Sequence, residues 1–281
     1  MKKFYFNTLL LAGLMVAACS SDDDDHQGQE EHQAFKTYYM TVDATKGADE
    51  GANYASTRAL ALTGSTLNAT WATTEHVYVQ GKLLSNKYFW FEGSLQPQYA
   101  GTTTRLNGTI SLPAGWSYSS VDEAIGNPNY VTLQFPRPYV LDYTGQIGTL
   151  ADIAAKYDYA KAEDVGVDIE ADKVVGVSPV EFESQQAIVK FTFTDSDGTT
   201  KMKLTELNVQ YGTESLSLTI PEATYTTNGD NVIYVAIPGF YDKEVTLTAK
   251  VGGKTYKFIK PNVTFENGKY YEVDVKMKEK V

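Results

Sequence analysis

Cys19 is the residue whose surroundings point most clearly to covalent chemistry, because it is the only cysteine and it ends an apolar run. Lys2 and Lys3 give the chain a basic start, and residues 4–18 are mostly apolar. This run is too short to span a bilayer and has the build of a signal-peptide core. We therefore predict that residues 1–18 are a signal peptide and that Cys19 is the site of lipidation.

The residues around Cys19 resemble a lipoprotein signal. Val16-Ala17-Ala18-Cys19 is similar to the lipobox of bacterial lipoproteins, in which the cysteine sulfur takes a diacylglycerol. Residues 22–25, four aspartates, resemble the acidic surface-export tag of Bacteroidota lipoproteins. A triacylated Cys19 would hold the protein to the outer membrane without a spanning helix, since stable anchoring takes more than one acyl chain. The alternative is an ordinary secretory signal followed by a solvated run of charges.

Other chemistry has little support in the sequence. With Cys19 acylated, no thiol remains for a disulfide, a zinc site or a nucleophile. His26, His32 and His76 lack metal-ligand spacing, and residues 195–198 resemble a calcium loop without its later acidic ligand, so we predict a hairpin turn there. The sequence has no phosphate-cradling glycine loop, Gly-x-Ser-x-Gly elbow or His-Glu-x-x-His motif. We predict a protein that is not an enzyme and binds no cofactor or metal.

Charge and tryptophan content bear on the binding partners. The formal net charge of −11 argues against nucleic acid, because no basic stripe is available to displace counterions. Trp71, Trp90 and Trp116 could form a platform for a sugar, but we favour packing in the strand core or at a sheet edge as their role. A carboxylate pair for glycoside hydrolysis also stays open, because the spacing that matters is spatial. A surface glycan-binding protein is therefore an alternative function.

The segments on either side of Arg58 form an ordered series. Residues 19–36 are polar and acidic, which predicts a disordered tether. In residues 37–45 apolar and polar side chains alternate with the period of a strand. Residues 46–57 are small and polar and predict an exposed loop that ends at Arg58.

Most of the remaining chain has the pattern of short strands separated by turns. Alternating apolar positions predict strands at residues 60–62, 67–71, 77–79, 87–91, 105–112, 131–135, 180–182 and 187–193. Residues 150–163 are the one segment with helical character, because apolar residues share a helix face and alanine is frequent.

Glycine-containing pairs predict hairpins in the second half of the chain, since primed turns need positive φ. They occur at residues 197–198, 228–229 and 252–253, and Asn267-Gly268 opens the last strand. This pattern predicts an all-β protein of two antiparallel β-sandwiches with one short helix. We place the domains at residues 37–170 and 171–281, with a seam within residues 165–180.

Several segments together resemble the fimbrillin family of Bacteroidota, the subunits of fimbriae assembled on the outer surface. Residues 57–60 (TRAL) and 67–72 (LNATWA) are similar to the family's TRAL…LxATWA segment. Residues 157–161 resemble its DLMYA region, and residues 184–193 resemble its FxHxLAKLxF strand with glutamine where histidine is common. Residues 265–275 resemble its closing GKxYxVxV strand.

The resemblance implies two transthyretin-like Greek-key β-sandwich domains and a route of assembly. In the family's polymerising pilins, a lipidated precursor reaches the cell surface, and an arginine-specific or trypsin-like protease cuts before the mature domain. The first strand is lost, and a strand from a neighbouring subunit fills the open groove by β-strand complementation. Carried over to this chain, the cut falls between Arg58 and Ala59, and residues 37–58 are the removable strand and loop.

The resemblance also implies where the protein works and with what. Its partners would be other fimbrillin subunits, the outer membrane before processing, and a receptor on a host or bacterial surface. It would lie at the cell outer membrane, exposed on the surface, and in the fimbrium, where it would serve adhesion. The predicted closing strand, residues 270–278, is followed by no clear extra strand pair that could act as a donor. We therefore expect an accessory, anchor or tip-proximal subunit, or a surface lipoprotein that never polymerises.

Lipidation of Cys19 is the first testable prediction. Cells that express the wild-type chain should incorporate labelled palmitate into it, whereas Cys19→Ala should take up none, because the sequence has no other cysteine thiol. Ser20→Ala serves as the matched control and should label like the wild type. Equal labelling of wild type and Cys19→Ala would contradict the lipoprotein interpretation.

Overall fold

In the computed structural model, the described residues are 36–46, 60–63, 66–82, 88–113, 121–126, 129–136 and 141–280. Contacts group Ala34–Val281 into one compact unit. In chain order, the elements are β1 (Tyr38–Lys46), β2 (Leu60–Thr63), β3 (Thr66–Ala69), β4 (Tyr78–Lys82), β5 (Tyr88–Trp90), β6 (Glu92–Pro97), β7 (Thr103–Ser111), α1 (Val121–Ile125), β8 (Tyr130–Phe135), α2 (Leu150–Lys156), β9 (Ala160–Glu170), β10 (Lys173–Gly176), β11 (Val180–Ser184), β12 (Ala187–Thr194), β13 (Glu206–Tyr211), β14 (Glu214–Thr219), α3 (Glu222–Asn228), β15 (Val232–Ile237), β16 (Phe240–Val251), β17 (Lys254–Phe265), β18 (Tyr270–Lys276) and β19 (Lys278–Glu279).

A nine-stranded sheet dominates the first part of the described chain. Its order is β5-β4-β8-β9-β10-β1-β7-β6. The ninth strand, β11, pairs with both β1 and β9 and therefore lies between the same two strands as β10. Val77, just before β4, bridges to Leu95 in β6 through two N–H to carbonyl bonds of 2.8 Å. Because this bridge joins β6 to the segment before β4, the sheet curls around its buried side chains.

Strand alternation gives this sheet one buried face. Val42 of β1, Leu106 of β7 and Leu133 of β8 all belong to the same hydrophobic cluster, each between exposed or half-buried neighbours. Gly108 lies where β7 runs between β1 and β6, and a Cβ there would lie 2.1 Å from the carbonyl oxygen of Ser94. Glycine is thus required for the close approach of β6 and β7.

Two smaller sheets share a second core. One has the order β15-β12-β18, and the other has the order β14-β13-β16-β17-β19. Phe191 and Val235 from the first sheet lie in the same hydrophobic cluster as Val209 and Leu247 from the second. Two sheets that bury their inner faces against each other form a β-sandwich. The predicted all-β class is confirmed.

The direction of strand pairing is mostly antiparallel, as predicted, with three parallel pairs among the described strands. β1 is parallel to β10 and β11, and β12 is parallel to β18. The turn at Asn267-Gly268 does lead into the last long strand, but β18 pairs with β12, its neighbour in the three-stranded sheet, rather than with the preceding strand β17. The expectation that glycine-containing pairs in the second half of the chain mark hairpins is therefore wrong for the turn before β18.

The predicted helix is present but shorter. α2 begins at Leu150, where the Thr149 hydroxyl accepts a hydrogen bond from the Asp152 N–H at 3.1 Å and caps the helix. It ends at Lys156 rather than at Glu163, because Ala160 and the residues after it pair in β9 with β8.

Two further helices differ from the sequence prediction. α1 was not predicted, and α3 replaces the hairpin expected around residues 228–229. Gly229 ends α3 with φ of +107°, and its N–H donates to the Tyr225 carbonyl at 3.0 Å. The glycine pair signal thus marked a helix terminus, which also favours glycine.

The two cores draw on alternating parts of the chain. Buried residues of the first cluster come from residues 38–135 and 160–182, and those of the second come from residues 143–159 and 187–277. The predicted seam at residues 165–180 falls within β9, β10 and the start of β11, all in the first sheet. The domain bounds 37–170 and 171–281 remain a prediction.

Candidate functional site: the β1 groove

β1 lies in an interior lane of the large sheet, meaning a strand position with a hydrogen-bonded strand on each side. We call the space that β1 fills there the β1 groove. It pairs antiparallel with β7 over eight residues, from Tyr38 opposite Ile110 to Thr45 opposite Thr103. On its other side it pairs in parallel with β10 and then with β11. The strand therefore satisfies backbone groups on two neighbours at once, and the sheet has no continuous edge along this lane while β1 is in place.

The side chains of β1 fill the groove with strict alternation. Tyr38, Met40, Val42, Ala44 and Lys46 are all buried, and the residues between them are exposed or half-buried. Four of the five are apolar and join the first hydrophobic cluster. Burial of one strand face is what holds a strand in its register, because a slip of one residue would turn every inward side chain outward.

The fifth inward residue, Lys46, is a cation with 1% of its surface exposed. Its ammonium lies 2.8 Å from Asp158 Oδ2 and 3.5 Å from Glu75 Oε1. Both carboxylates are themselves buried. A buried charge is tolerated when it is paired and hydrogen-bonded, so these three residues act as one unit.

Two aromatic rings flank the ammonium. Lys46 Nζ lies 4.2 Å from the centre of the Phe135 ring and 5.0 Å from that of Trp71. Phe182 packs edge-on against Trp71 with 5.0 Å between ring centres. Ring faces carry negative charge density, so they attract the cation while they exclude water. We call the set Lys46, Glu75, Asp158, Trp71 and Phe135 the cation slot.

The carboxylates of the slot are held in place by local hydrogen bonds. Glu75 Oε2 accepts from the Ala72 N–H at 3.2 Å, within the turn that precedes β4. Asp158 Oδ1 accepts from Gln186 Nε2 at 3.3 Å, in the short connection between α2 and β9. Because these hydrogen bonds restrain both flexible side chains, the two carboxylates keep their positions near the end of β1.

The opposite face of β1 carries a different kind of ion pair. Asp43 accepts two hydrogen bonds from Arg105 of β7, at 2.7 and 3.2 Å, and both side chains are about half exposed. The hydrogen bond from Arg105 lowers the pKa of the Asp43 carboxyl, and the same contact raises the pKa of Arg105. Water screens this pair, so it contributes little to stability compared with the cation slot.

The predicted site residues Cys19, Arg58 and Ala59 lie outside the described residues. The structure corrects the neighbouring prediction that Lys46 begins an exposed loop, because Lys46 is the last residue of β1 and is buried. Lys46 follows the inward-facing Ala44 by two residues, so the strand alternation places it on the buried face. The sequence analysis missed this burial because the side chain is charged.

The other candidates from the sequence are separated by the fold. Trp71 lies fully buried in the cation slot, Trp90 is buried elsewhere, and Trp116 lies outside the described residues, so Trp71 cannot join an exposed sugar platform. His76 is hydrogen-bonded to Ser94 and Gln96. Within the described ranges, no cluster of potential metal ligands occurs, and no helix has the length and apolar character needed to cross a bilayer.

The predicted turn at residues 195–198 is present. The Gly198 N–H donates to the Asp195 carbonyl at 3.0 Å, and Thr194 bridges to Lys201. The Asp197 carboxylate accepts hydrogen bonds from the two threonines that follow Gly198. Hydrogen bonds from Asp195 and Thr199 lower the pKa of Asp197.

Comparisons with known proteins returned solved structures alone, since no family model and no curated protein matches the sequence. A Bacteroides ovatus protein provisionally designated a cell adhesion protein is 12% identical, with a TM-score of 0.45 and coverage of 88% of this chain and 97% of its own. A fimbrial assembly protein from Parabacteroides distasonis is 11% identical, with a TM-score of 0.39 and coverage of 86% and 92%.

The tip fimbrial protein Mfa3 from Porphyromonas gingivalis, truncated at its C-terminus, is also similar. It is 10% identical, with a TM-score of 0.35 and coverage of 87% of this chain and 98% of its own. The three solved structures described are thus named as fimbrial or cell adhesion proteins.

The cation slot leads to a prediction about stability. Lys46→Met keeps most of the length of the side chain but removes its charge, and it should lower the free energy of unfolding by about 3 kcal/mol or more, because two buried carboxylates lose the Lys46 ammonium. Urea denaturation of the purified full chain measures the change.

Arg105→Met is the matched control, since it removes a cation from the exposed pair on the same lane. It should change the stability only slightly. Equal losses of unfolding free energy for the two variants would mean that the buried ion pair of the slot stabilises the fold no more than the exposed pair does.

Proposed function

We propose that the chain is a subunit of a surface fimbria whose first strand is removed by proteolysis and replaced by a strand from another subunit. The observation that carries this proposal is the place of β1, an N-terminal strand that fills an interior lane of the large sheet. Its chain connection to the rest of the fold runs through residues 47–59, the stretch that contains Arg58. A cut there would leave β1 held by non-covalent contacts alone.

Loss of β1 would create a strong demand for a replacement strand. The facing backbone groups of β7 on one side, and of β10 and β11 on the other, would lose their hydrogen-bond partners. The hydrophobic cluster would also lose four inward side chains of β1. An incoming strand restores both, which is the physical basis of β-augmentation.

The distribution of arginines supports Arg58 as the processing site. The sequence has three, Arg58, Arg105 and Arg137. Arg105 lies within β7, whose backbone is paired with β1 and β6 on its two sides, so a protease could not bind it extended without unfolding the sheet. Pro138 follows Arg137, and its imide ring disfavours cleavage at that bond.

The proposed life cycle begins at the membrane. Acylated Cys19 would hold the precursor to the outer membrane, with residues 19–36 as a tether that presents the folded part at the cell surface. Cleavage between Arg58 and Ala59 would release the subunit and open the β1 groove to a partner subunit. An accessory or tip-proximal position, with adhesion to a host or bacterial surface receptor, is the role that we propose.

The processing step can be tested with Arg58→Ala. The variant should keep its precursor mass at the cell surface, and its cells should lack the fimbriae that contain this subunit, because β1 stays covalently attached in its groove. Mass spectrometry of surface material and immuno-electron microscopy measure the two effects.

Arg105→Lys is the matched control and should be processed and assembled like the wild type. In vitro, an arginine-specific protease should cut the purified chain once, after Arg58, and leave a folded remainder of lower thermal stability. Fimbriae and processed mass identical to the wild type in Arg58→Ala cells would overturn the maturation step.

A second candidate function is glycan binding without polymerisation, and one cavity favours it. The outer face of β4, β5, β8 and β9 carries a cavity of about 600 Å³ with aromatic and polar walls. Tyr88 and Tyr130 are roughly half exposed there, beside Gln80 and Gln134. The volume suits a small ligand, tyrosine rings can stack on the apolar face of a sugar, and amides can bind its hydroxyls.

Tyrosine substitutions test this second function. Incubated with an array of surface glycans, the uncut full chain should retain a subset of them, and Tyr88→Ala with Tyr130→Ala should abolish that binding, since the stacking surfaces are lost. Tyr241→Ala, at a tyrosine that is 70% exposed in β16, serves as the control. Absence of glycan binding by the wild type, or equal binding by all variants, would dismiss the cavity as a glycan site.

A further inference from the structure

The cavity on the outer face of β4, β5, β8 and β9 lies beside an irregularity in β9. Residues 131–133 of β8 lie opposite residues 162–165 of β9, so β9 contains one residue more than its partner there. Glu163 and Asp164 lie within this stretch, and both line the cavity. An extra residue of this kind is a β-bulge, and bulges redirect side chains next to functional sites.

The bulge brings two consecutive acidic side chains to the solvent-exposed side of β9. In a regular strand, neighbouring side chains alternate between the two faces of the sheet. Glu163 and Asp164 are instead both exposed, between the buried Ala162 and Val165. Asp164 has a φ of +50°, a conformation in which aspartate is enriched over most other non-glycine residues. The cavity thus receives two carboxylates where a regular strand would supply one.

The charged groups that line the cavity are one ion pair and two further charges. Glu163 forms the ion pair with Lys161. Lys82 Nζ lies 5.4 Å from the centre of the Tyr88 ring, and within the described ranges neither Lys82 nor Asp164 forms an ion pair. The two lysines and two carboxylates of the lining balance, so the cavity has no net charge. It offers a ligand one charged hydrogen-bond donor and one charged acceptor.

Tyr130 provides a fixed ring within the cavity. It lies opposite Gly166 of β9, and a Cβ on that glycine would lie 3.4 Å from Tyr130 Cε1, so the ring packs against its cross-strand partner. On the other side of β8, Gln80 lies opposite Thr132, and continuing this register by two residues places Lys82 beside Tyr130. The Tyr130 side chain is still 47% exposed. A ring that is restrained and half exposed can act as a stacking surface for a ligand.

We propose that the cavity binds a neutral sugar in its pyranose form, with Tyr130 as the stacking surface and Asp164 as the acceptor for two adjacent hydroxyls. A carboxylate has two acceptor oxygens, so it can take a hydrogen bond from each of two neighbouring hydroxyls. The Lys82 ammonium can donate to an oxygen on the opposite side of the sugar. The backbones of β4 and β9 are about 10 Å apart across β8, so these two side chains reach the ligand from opposite sides.

The charge balance is what favours a neutral ligand. An acidic sugar would meet two carboxylates and two lysines, one of which is already paired, on a chain whose formal net charge is −11. This inference rests on the second candidate function, glycan binding, and narrows it to a class of ligand. It applies equally to a subunit within a fimbria, because β1 contributes no residue to the cavity.

The first arm of the test determines the class of ligand. The purified full chain is titrated with the methyl glycosides of mannose, galactose, glucose and N-acetylneuraminic acid, and is incubated with an array of neutral and sialylated glycans. At least one neutral glycoside should bind, and the acidic one should not. The affinity for the neutral glycoside should change by less than about twofold between about 50 and 500 mM NaCl, because salt screens charge and the ligand carries none.

The second arm tests the role of Asp164. Asp164→Asn keeps the shape of the side chain and tolerates the positive φ, but it replaces one acceptor oxygen with a donor. It should weaken binding of the neutral glycoside about tenfold or more. Asp164→Gly, which favours the same φ and lacks the carboxylate, should lose binding in the same way. Asp168→Asn is the matched control, since it removes the same charge from β9 outside the cavity, and it should bind like the wild type.

The outcomes separate the inference from the glycan function itself. Equal binding of a neutral glycoside by the wild type and both Asp164 variants would overturn the role of Asp164, while glycan binding would stand. Binding of the acidic glycoside alone, or affinity that falls steeply with salt, would overturn the neutral class. If the wild type binds no glycoside and no glycan on the array, the second candidate function fails and the inference falls with it. Loss of binding in both Asp164 variants but not in Asp168→Asn, with unchanged thermal denaturation of Asp164→Asn, supports the inference.

Discussion

The contact of the Lys46 ammonium with two buried carboxylates is the interaction on which the arrangement of the large sheet depends. It joins the end of β1 to the turn before β4, through Glu75, and to the connection between α2 and β9, through Asp158. These segments are far apart in the sequence, and hydrophobic burial alone is non-directional. A buried ion pair requires specific geometry, so it fixes where the three segments meet, although its net contribution to stability is modest compared with the cost of breaking it.

The backbone of the β1 lane explains why this strand, rather than an edge strand, suits a replaceable element. An interior strand satisfies hydrogen-bonding groups on two neighbours, so its absence leaves two unpaired rows instead of one. The parallel pairing with β10 and β11 and the antiparallel pairing with β7 also define the direction in which any strand must enter. An empty groove of this kind is therefore unfavourable, because two rows of backbone groups lose their partners, and it accepts a strand in one direction only.

Much of the fold could be predicted from local patterns, and the failures share a physical cause. The alternation in residues 37–45 predicted β1, and the glycine pair at residues 252–253 predicted the β16–β17 hairpin. The helix α3 was missed because Asn-Gly suits a helix terminus as well as a turn. The Tyr225 hydroxyl of this helix donates to the Leu204 carbonyl at 2.9 Å, and such a contact between distant residues cannot be seen in a local pattern. The same holds for β18, whose parallel partner β12 is distant in sequence. Lys46 was assigned to a loop because lysines are rarely buried unless paired, and its partners could not be located without the fold.

The charge at the end of β1 also resolves an ambiguity that the apolar pattern leaves open. A slip of one residue is prevented by the alternation, since it would bury the polar face of the strand. A slip of two residues is not, because Tyr38, Met40, Val42 and Ala44 would each take a neighbouring inward position and stay apolar. Such a slip would, however, move the ammonium of Lys46 by the length of two strand residues, about 7 Å, and away from Asp158 and Glu75. Hydrophobic burial therefore selects the face of the strand that points inward, and the ion pair selects which of the equivalent registers is occupied.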